Sequence, residues 1–277
     1  MNKIITTHSW KEVDTICQEA DLDTWVIWDV DNTLLFADDT VFGCHIDAYK
    51  THTNLIEQYE QSHSNETNIP KYVKNLFYHI RSHLPFQLTH SHTIQTIQAL
   101  QKRSITTFAL TFLFVYTEEK DYTSWRQHQF ASLGIDFSRC LNQQARLEFP
   151  ELKDCFPDIA APSIGYPIYE NGVFYTHHHP KGLCLTQFMK RIQKFPKKII
   201  FIDDAEHYLN QVKQATQDLN IAFQGVRYLS EKQTDQQDPK LIEKWKCFRS
   251  SQIWVNESVT TPHKSQKILI PNLSKKS

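Results

Sequence analysis

The stretch that decides the fold is WVIWDVDNTLLF, residues 25–36. An apolar run of strand length leads directly into two carboxylates, Asp29 and Asp31, one residue apart. An apolar run without alternation is typical of a strand that is buried on both faces of a parallel sheet. Two carboxylates side by side repel each other, so their position after a buried strand indicates a chemical role rather than a structural one.

Two further strand-like runs end in polar residues. ITTFALT ends at Thr111, and KKIIFID leads into the pair Asp203 and Asp204. In open α/β sheets, ligands bind outside the carboxyl ends of the strands. We therefore expect these side chains to meet the carboxylates of WVIWDVDNTLLF at one edge of a sheet.

The order of the predicted elements indicates an α/β fold. Strand-like and helical segments alternate, which predicts a Rossmann-like, mainly parallel sheet between helices. We assign residues 1–36 and 90–228 to this catalytic core. Residues 37–89 carry helical patterns and no strand-like alternation, which predicts a small helical cap inserted after the first catalytic strand. Residues 229–277 are expected to form a C-terminal helix and a flexible basic tail.

The composition excludes several classes of protein. The chain has 277 residues, 40% of them hydrophobic and 22% charged, and a formal net charge of -1, which gives no nucleic acid-binding signal. Its 6 cysteines form no CxxC pair, so neither a disulfide framework nor a zinc site is expected. No secretory signal or membrane span is recognisable. We expect a cytoplasmic monomer, and translocation without an N-terminal signal stays open as an alternative.

Clustered carboxylates need a cation, because each one otherwise raises the pKa of its neighbours. Mg²⁺ suits a small site with few protein ligands and a phosphate. A carboxylate in such a site can attack phosphorus and form an aspartyl-phosphate. A second carboxylate can protonate the leaving group and later activate water.

Four motifs in order resemble those of the haloacid dehalogenase-like (HAD) phosphatase superfamily. DVDNT, which begins at Asp29, is similar to the first motif, and ALT, which ends at Thr111, is similar to the second. Lys181 in HPKGLCLTQF resembles the lysine of the third motif, and FIDDAE, with Asp203 and Asp204, resembles the acidic fourth motif. The resemblance covers about residues 22–228 and is strongest to bacterial proteins known as a domain of unknown function.

The resemblance implies a Mg²⁺-dependent phosphomonoester hydrolase. Asp29 would attack phosphorus, and Asp31 would act first as the general acid and then as the general base. Thr111 and Lys181 would hold the phosphoryl oxygens. Dehalogenases of the superfamily lack a carboxylate at the position of Asp31, so its presence indicates phosphoryl chemistry.

The resemblance also implies the ligands of the metal. These are the carboxylate of Asp29, the main-chain carbonyl of Asp31 and the fourth motif. We favour Asp204 as the direct ligand and Asp203 as its support, but the sequence leaves that choice open.

Two alternatives to hydrolysis remain. A phosphotransferase would use the same intermediate with an alcohol in place of water, and a catalytically silent protein would keep the fold and bind only. The sequence does not identify the substrate: a phosphorylated small molecule, a nucleotide or a phosphoprotein all stay open, because the cap has no motif that separates them. The three consecutive histidines 177–179 are expected in a polar loop, and their closeness to Lys181 leaves a contact with the substrate phosphate open. Asp38 and Asp39 are expected as solvated loop acids.

Overall fold

The computed structural model describes residues 2–113, 116–117, 120–139, 146–155, 165–177, 179–233, 236–261 and 264–270. The chain forms two units. The first consists of Met1–Leu34 and His90–Ser230, and the second of Leu35–Thr89 and Glu231–Ser277. None of the helices in the described ranges is long and apolar enough to cross a membrane.

In the first unit, strands and helices alternate along the chain as predicted. In chain order, the helices of both units are α1 (Trp10–Gln18), α2 (Ile46–His63), α3 (Ile69–Arg81), α4 (Thr93–Lys102), α5 (Tyr122–Leu133), α6 (Lys181–Ile192), α7 (Glu206–Asp218) and α8 (Leu241–Ser251), with a 3₁₀ helix at Pro150–Cys155. The strands are β1 (Lys3–Thr7), β2 (Thr24–Trp28), β3 (Leu35–Ala37), β4 (Phe86–Leu88), β5 (Thr106–Thr111), β6 (Tyr116–Thr117), β7 (Lys120–Asp121), β8 (Arg146–Glu148), β9 (Ile168–Glu170), β10 (Val173–Tyr175), β11 (Lys198–Asp203), β12 (Ala222–Tyr228), β13 (Ile253–Glu257) and β14 (Ser265–Leu269).

The first unit is built on a mainly parallel sheet. Its described strands have the order β1-β12-β11-β2-β5-β10-β9-β8. The strands from β1 to β10 in this order pair in parallel, and β9 and β8 add antiparallel pairs at one edge. This arrangement confirms the predicted α/β fold with a Rossmann-like sheet.

Helices cover both faces of this sheet, which is why its central strands read as apolar runs. On one face, strands and helices α6 and α7 share an apolar cluster that includes Ile27, Phe108, Phe174, Phe188 and Leu209. Neighbouring residues of a strand point to opposite faces. Accordingly, Trp28 turns to the other face, where its ring stacks on Trp10 of α1 with centroids 6.0 Å apart.

The second unit joins two distant parts of the chain in one core. The predicted helical segments of the insertion form α2 and α3, and α8 with the β13–β14 hairpin comes from the C-terminal part. The ring of Trp245 in α8 lies 5.6 Å from that of Phe77 in α3, and Trp254 of β13 lies 5.4 Å from Phe42. The C-terminal segment and the insertion therefore bury their aromatic residues against each other.

Two expectations for this part of the chain were wrong. Asp38 and Asp39 are buried rather than solvated, and hydrogen bonds from the protein take the place of water around both carboxylates. Asp38 accepts from the N–H of Val259 at 2.9 Å, and Asp39 accepts from the N–H of Val41 at 2.8 Å and from the indole of Trp254 at 2.9 Å. Part of the predicted flexible tail also has defined structure, since β14 pairs with β13, whereas residues 271–277 lie outside the described ranges.

Candidate active site

The predicted chemical groups of the first unit lie at the carboxyl ends of three neighbouring strands. β2 pairs in parallel with β5 on one side and with β11 on the other. Thr111 is the last residue of β5, Asp203 is the last residue of β11, and Asp29 directly follows β2. The N–H of Asp29 donates to the carbonyl of Ile202 at 2.8 Å. The first and fourth motifs are therefore held together by main-chain pairing.

Lys181 joins two of these carboxylates. It is the first residue of α6, and its buried ammonium nitrogen lies 2.5 Å from Oδ1 of Asp29 and 2.7 Å from Oδ2 of Asp203. Its own N–H donates to Oε1 of Gln211 on α7 at 2.9 Å. The two helices approach closely because residue 182 is glycine: a Cβ on Gly182 would lie 2.2 Å from the carbonyl oxygen of Gln211.

The electrostatics of the cluster follow from burial. Burial alone would lower the pKa of Lys181, but the charges of Asp203 and Asp29 outweigh it and raise that pKa. Burial raises the pKa of Asp29 to about 7, an effect that Lys181 opposes and Asp203 increases. Burial also raises the pKa of Asp203, against the effect of Lys181. The pKa of Asp204 lies well above its ordinary value, because burial and the neighbouring charges of Asp203 and Asp29 act in the same direction.

Three of these carboxylates fit a divalent cation. Asp29, Asp203 and Asp204 each offer one carboxylate oxygen, and these three oxygens lie within 4.8 Å of one another. Both oxygens of Asp203 already accept hydrogen bonds, from Lys181 and from the N–H of Ala205 at 2.8 Å. Oδ2 of Asp204 is buried and has no hydrogen-bond partner among the described residues. The donor set therefore favours Asp204 over Asp203 as the direct ligand of a hard cation such as Mg²⁺.

The backbone of Asp204 is fixed from two sides. Its N–H donates to Oγ1 of Thr33 at 3.0 Å, and its carbonyl accepts from Nε of Arg227 at 3.0 Å. Thr33 belongs to the DVDNT motif, so the first motif also positions the fourth through a side chain. These bonds involve the main chain of Asp204 and leave its carboxylate to the acid cluster.

Asp31 has a different partner from the other acids. Nη2 of Arg126, on α5, lies 2.6 Å from Oδ1 of Asp31, and the arginine side chain is fully buried while 18% of the Asp31 side chain is exposed. Sequence reasoning missed Arg126, because an arginine on a helix outside every recognised motif is indistinguishable from a surface residue. The side chain of Asp31 is not in the group of oxygens that fits a cation. Its role as a ligand through the main-chain carbonyl stays a prediction.

Two threonine hydroxyls lie at the next strand ends. Oγ1 of Thr111 is buried without a hydrogen-bond partner among the described residues, and the same holds for Oγ1 of Thr176. Thr176 follows β10, and its N–H donates to the carbonyl of Thr111 at 2.9 Å. Thr176 was not predicted as a site residue, although a polar residue after a strand of the same sheet is the signal that identified Thr111.

The described part of the histidine segment lies between β10 and α6 outside helices and strands, as expected, but its described histidines are buried rather than solvated. His177 and His179 are buried, and His178 lies outside the described residues. Nε2 of His179 lies 2.7 Å from the carbonyl oxygen of Leu152. His177 has φ 56°, in the left-handed region. The segment leads the chain from β10 to Lys181 at the N-terminus of α6.

The comparisons with known proteins assign a family without an activity. A family described as "Protein of unknown function (DUF2608)" matches residues 6–259. An uncharacterized protein of Rickettsia prowazekii (strain Madrid E) is 22% identical over 230 residues, which cover 82% of this chain and 78% of that protein. No solved structure matches the chain significantly.

Proposed function

The chain belongs to the DUF2608 family, whose description names no activity, and we propose from the site itself that it is a Mg²⁺-dependent phosphomonoester hydrolase. The observation that carries the proposal is the bridge that Lys181 makes between Asp29 and Asp203, next to the unpartnered oxygen of Asp204. The resemblance of the four motifs to the HAD superfamily supports the same chemistry.

A silent binding protein would have little use for this cluster. Burying a carboxylate is costly unless it is paired, and here a single ammonium group serves two of three clustered acids. The raised pKa values of Asp29 and Asp204 reflect that cost. Such perturbed groups gather at sites where chemistry requires them, which favours an enzyme.

The reaction proceeds in two steps. A carboxylate oxygen of Asp29 attacks phosphorus, the bond between phosphorus and the ester oxygen breaks, and Asp31 gives its proton to the departing alcohol. A water molecule then attacks the phosphorus of the aspartyl-phosphate and passes a proton to Asp31, which releases phosphate and the carboxylate of Asp29. One ester and one water thus give one alcohol and one phosphate, and both acids return to their starting states.

The other residues hold the phosphoryl group and the cation. Thr111 offers a buried hydroxyl without a partner among the described residues, and Lys181 offers a fixed positive charge next to the attacking carboxylate. Asp29, Asp204 and the main-chain carbonyl of Asp31 would hold Mg²⁺, with Asp203 behind them fixing Lys181. When bound, the ion stabilises the negative charge that develops on the phosphoryl oxygens.

The experiment is hydrolysis of p-nitrophenyl phosphate by the full chain, with Mg²⁺ and with EDTA. We expect Asp29→Asn to lower kcat by about 10³-fold or more, because an amide cannot form the acyl-phosphate. The matched control is Asp23→Asn, which changes an exposed carboxylate of the same unit that pairs with Lys197 at 2.6 Å. Near-wild-type turnover by a pure, folded Asp29→Asn protein, or full activity in EDTA, would refute the proposal.

The same assay separates the related possibilities. An added acceptor alcohol that captures the phosphoryl group would identify a phosphotransferase. A panel of phosphorylated metabolites and phosphopeptides would then distinguish a small-molecule substrate from a phosphoprotein.

A further inference from the structure

The Asp31–Arg126 pair has a feature that folding alone does not require. The positive end is the buried one, since the side chain of Arg126 is fully enclosed, and the carboxylate of Asp31 is the end that solvent reaches. Replacing a buried ion pair by apolar side chains of similar volume is often neutral or stabilising. The stability of the fold alone therefore gives no general reason for an ion pair at positions 31 and 126.

Arg126 is itself held in a fixed direction. Nη1 donates to Oε1 of Gln129, one turn further along α5, at 2.9 Å, and the guanidinium carbon lies 4.9 Å from the centre of the Trp125 ring. In a guanidinium group fixed in this way, the two N–H bonds of Nη2 have fixed directions. Because the arginine is also held by Gln129, its bond to Oδ1 of Asp31 can fix the direction of the carboxylate.

The loop that carries Asp31 needs such a restraint. β2 ends at Trp28, and Asn32, the residue after Asp31, has φ 67°, so the chain turns sharply directly after Asp31. The direction of the Asp31 side chain is thus not set by the pleat of β2, in contrast to a side chain within a strand. A misplacement of about 1 Å in a reacting group can cost about 10²-fold in rate, so the carboxylate benefits from an external support.

We propose that Arg126 is a positioning residue that holds the carboxylate of Asp31 in place for its two proton transfers, an inference that rests on the phosphatase function proposed above. Arg126 touches neither substrate nor phosphoryl group in this assignment. Its effect on the reaction passes through Asp31 alone.

The test is a double-mutant cycle of Arg126→Met and Asp31→Asn on two substrates. Phenyl phosphate has a poor leaving group that needs a proton, and p-nitrophenyl phosphate has a good one. We expect Arg126→Met to lower kcat on phenyl phosphate by about 10- to 100-fold, with a smaller loss on p-nitrophenyl phosphate. In the Asp31→Asn background, Arg126→Met should alter kcat by less than about twofold, because the carboxylate that Arg126 positions is then absent.

Two further readouts separate positioning from other roles. The KM of both substrates and the inhibition constant of inorganic phosphate should change by less than about twofold, because Arg126 does not bind the phosphoryl group. Arg126→Lys should recover part of the lost kcat, since it keeps a donor near Asp31. The control is Arg103→Met, which removes an arginine of the same unit whose side chain donates to the main-chain carbonyl of Ala20. This change should leave the turnover of both substrates unaffected.

Several outcomes would overturn the proposal. Losses that multiply in the double variant would show that Arg126 acts independently of Asp31. A weaker inhibition by phosphate that matches the loss of kcat would make Arg126 a phosphate-binding residue. If Arg126→Met does not fold, the cycle is read with Arg126→Lys, where equal losses on both substrates would indicate a structural role. A wild-type protein without Asp29-dependent turnover would refute the phosphatase function itself. That result differs from losses that multiply in an active enzyme, which would refute only the role of Arg126.

Discussion

Asp203 and Asp204 are neighbours in sequence, yet the structure predicts opposite effects of the same substitution at the two positions. Asp203 accepts hydrogen bonds from Lys181 and from the N–H of Ala205. Asp204 has an oxygen with no partner among the described residues and adds a third negative charge to the cluster. In protein without a divalent cation, Asp204→Asn should therefore stabilise the fold, and Asp203→Asn should destabilise it.

The geometry gives the order of magnitude. The carboxylate oxygens lie within 4.8 Å of one another, and at an effective dielectric constant of about 20 two unit charges at 4.8 Å repel by about 3.5 kcal/mol. A gain of this order is expected from each ionised pair whose repulsion Asp204→Asn removes. The loss for Asp203→Asn should be about 3–5 kcal/mol, because the change leaves the buried ammonium of Lys181 with one charged partner fewer.

The sign of the pH dependence is also set. The pKa of Asp204 in the folded protein lies well above its ordinary value, so the folded state takes up a proton more readily than the unfolded state. The contribution of such a group to the stability of the fold falls as the pH rises above the pKa that the group has in the unfolded state. The stabilising effect of Asp204→Asn should therefore be small at low pH and should grow as the pH increases.

Thermal melts of both variants in EDTA and in Mg²⁺ provide the measurement. About 1 kcal/mol shifts the melting temperature of a chain approaching this size by roughly 2–4 °C. Mg²⁺ at about 100 times its Kd should stabilise the wild type by about 2.7 kcal/mol, and Asp204→Asn should lose most of that shift. The assignment fails if Asp204→Asn melts lower than wild type in EDTA, or if it keeps the full response to Mg²⁺.

Three further perturbations test other parts of the structure. Asp31→Asn should give a burst of p-nitrophenol followed by slow turnover in rapid mixing, because the aspartyl-phosphate then lacks its base; a linear time course would exclude this role. The pKa of the buried Asp39 is raised from its ordinary value to about 6, chiefly by burial, so its contribution to stability should fall by about 3 kcal/mol as the pH rises from about 4 to about 6. Denaturant unfolding of Asp39→Asn should show a correspondingly flatter pH profile than wild type, and an unchanged profile would contradict the shift. Gly182→Ala should destabilise the protein by about 1–3 kcal/mol and lower kcat, since a Cβ would lie 2.2 Å from the carbonyl oxygen of Gln211. A variant with wild-type melting temperature and kcat would show that the close approach of α6 and α7 does not position Lys181.

The sequence predicted the strand-end groups because they obey a local rule. Asp29, Thr111 and Asp203 each terminate or follow an apolar run of strand length, and parallel strands bring their carboxyl ends to one edge of a sheet. Lys181 was found through its motif alone, since no local pattern distinguishes it from a surface lysine. Its bridge between two carboxylates could be seen only once α6 was placed against the sheet.

The features that the sequence did not predict depend on distant partners. Arg126 lies 95 positions from Asp31, and no periodicity connects the two residues. Asp39 looked solvated because its partner Trp254 is 215 positions away. The same holds for the second unit, in which Trp245 meets Phe77 across most of the chain. The hydrophobic pattern predicts which residues are buried, but it does not predict which of them pack against one another.

The charges of the site lead to one more prediction. When all are ionised, the four carboxylates exceed the two cations by two negative charges, in a cluster made of Asp29, Asp31, Asp203, Asp204, Lys181 and Arg126. Mg²⁺ would cancel that excess, and protons on Asp29 and Asp204, whose pKa values are raised, would relieve it in another way.

Mg²⁺ and protons should therefore compete for the same oxygens. Below the pKa of about 7 at Asp29, binding of Mg²⁺ should release protons, and the affinity should rise by up to about tenfold per pH unit for each proton released. Calorimetry in two buffers with different ionisation enthalpies counts the released protons directly. Asp204→Asn should release fewer of them, because one titrating oxygen is gone. Binding at pH 6 without proton release would mean that Mg²⁺ is held by groups other than this buried cluster.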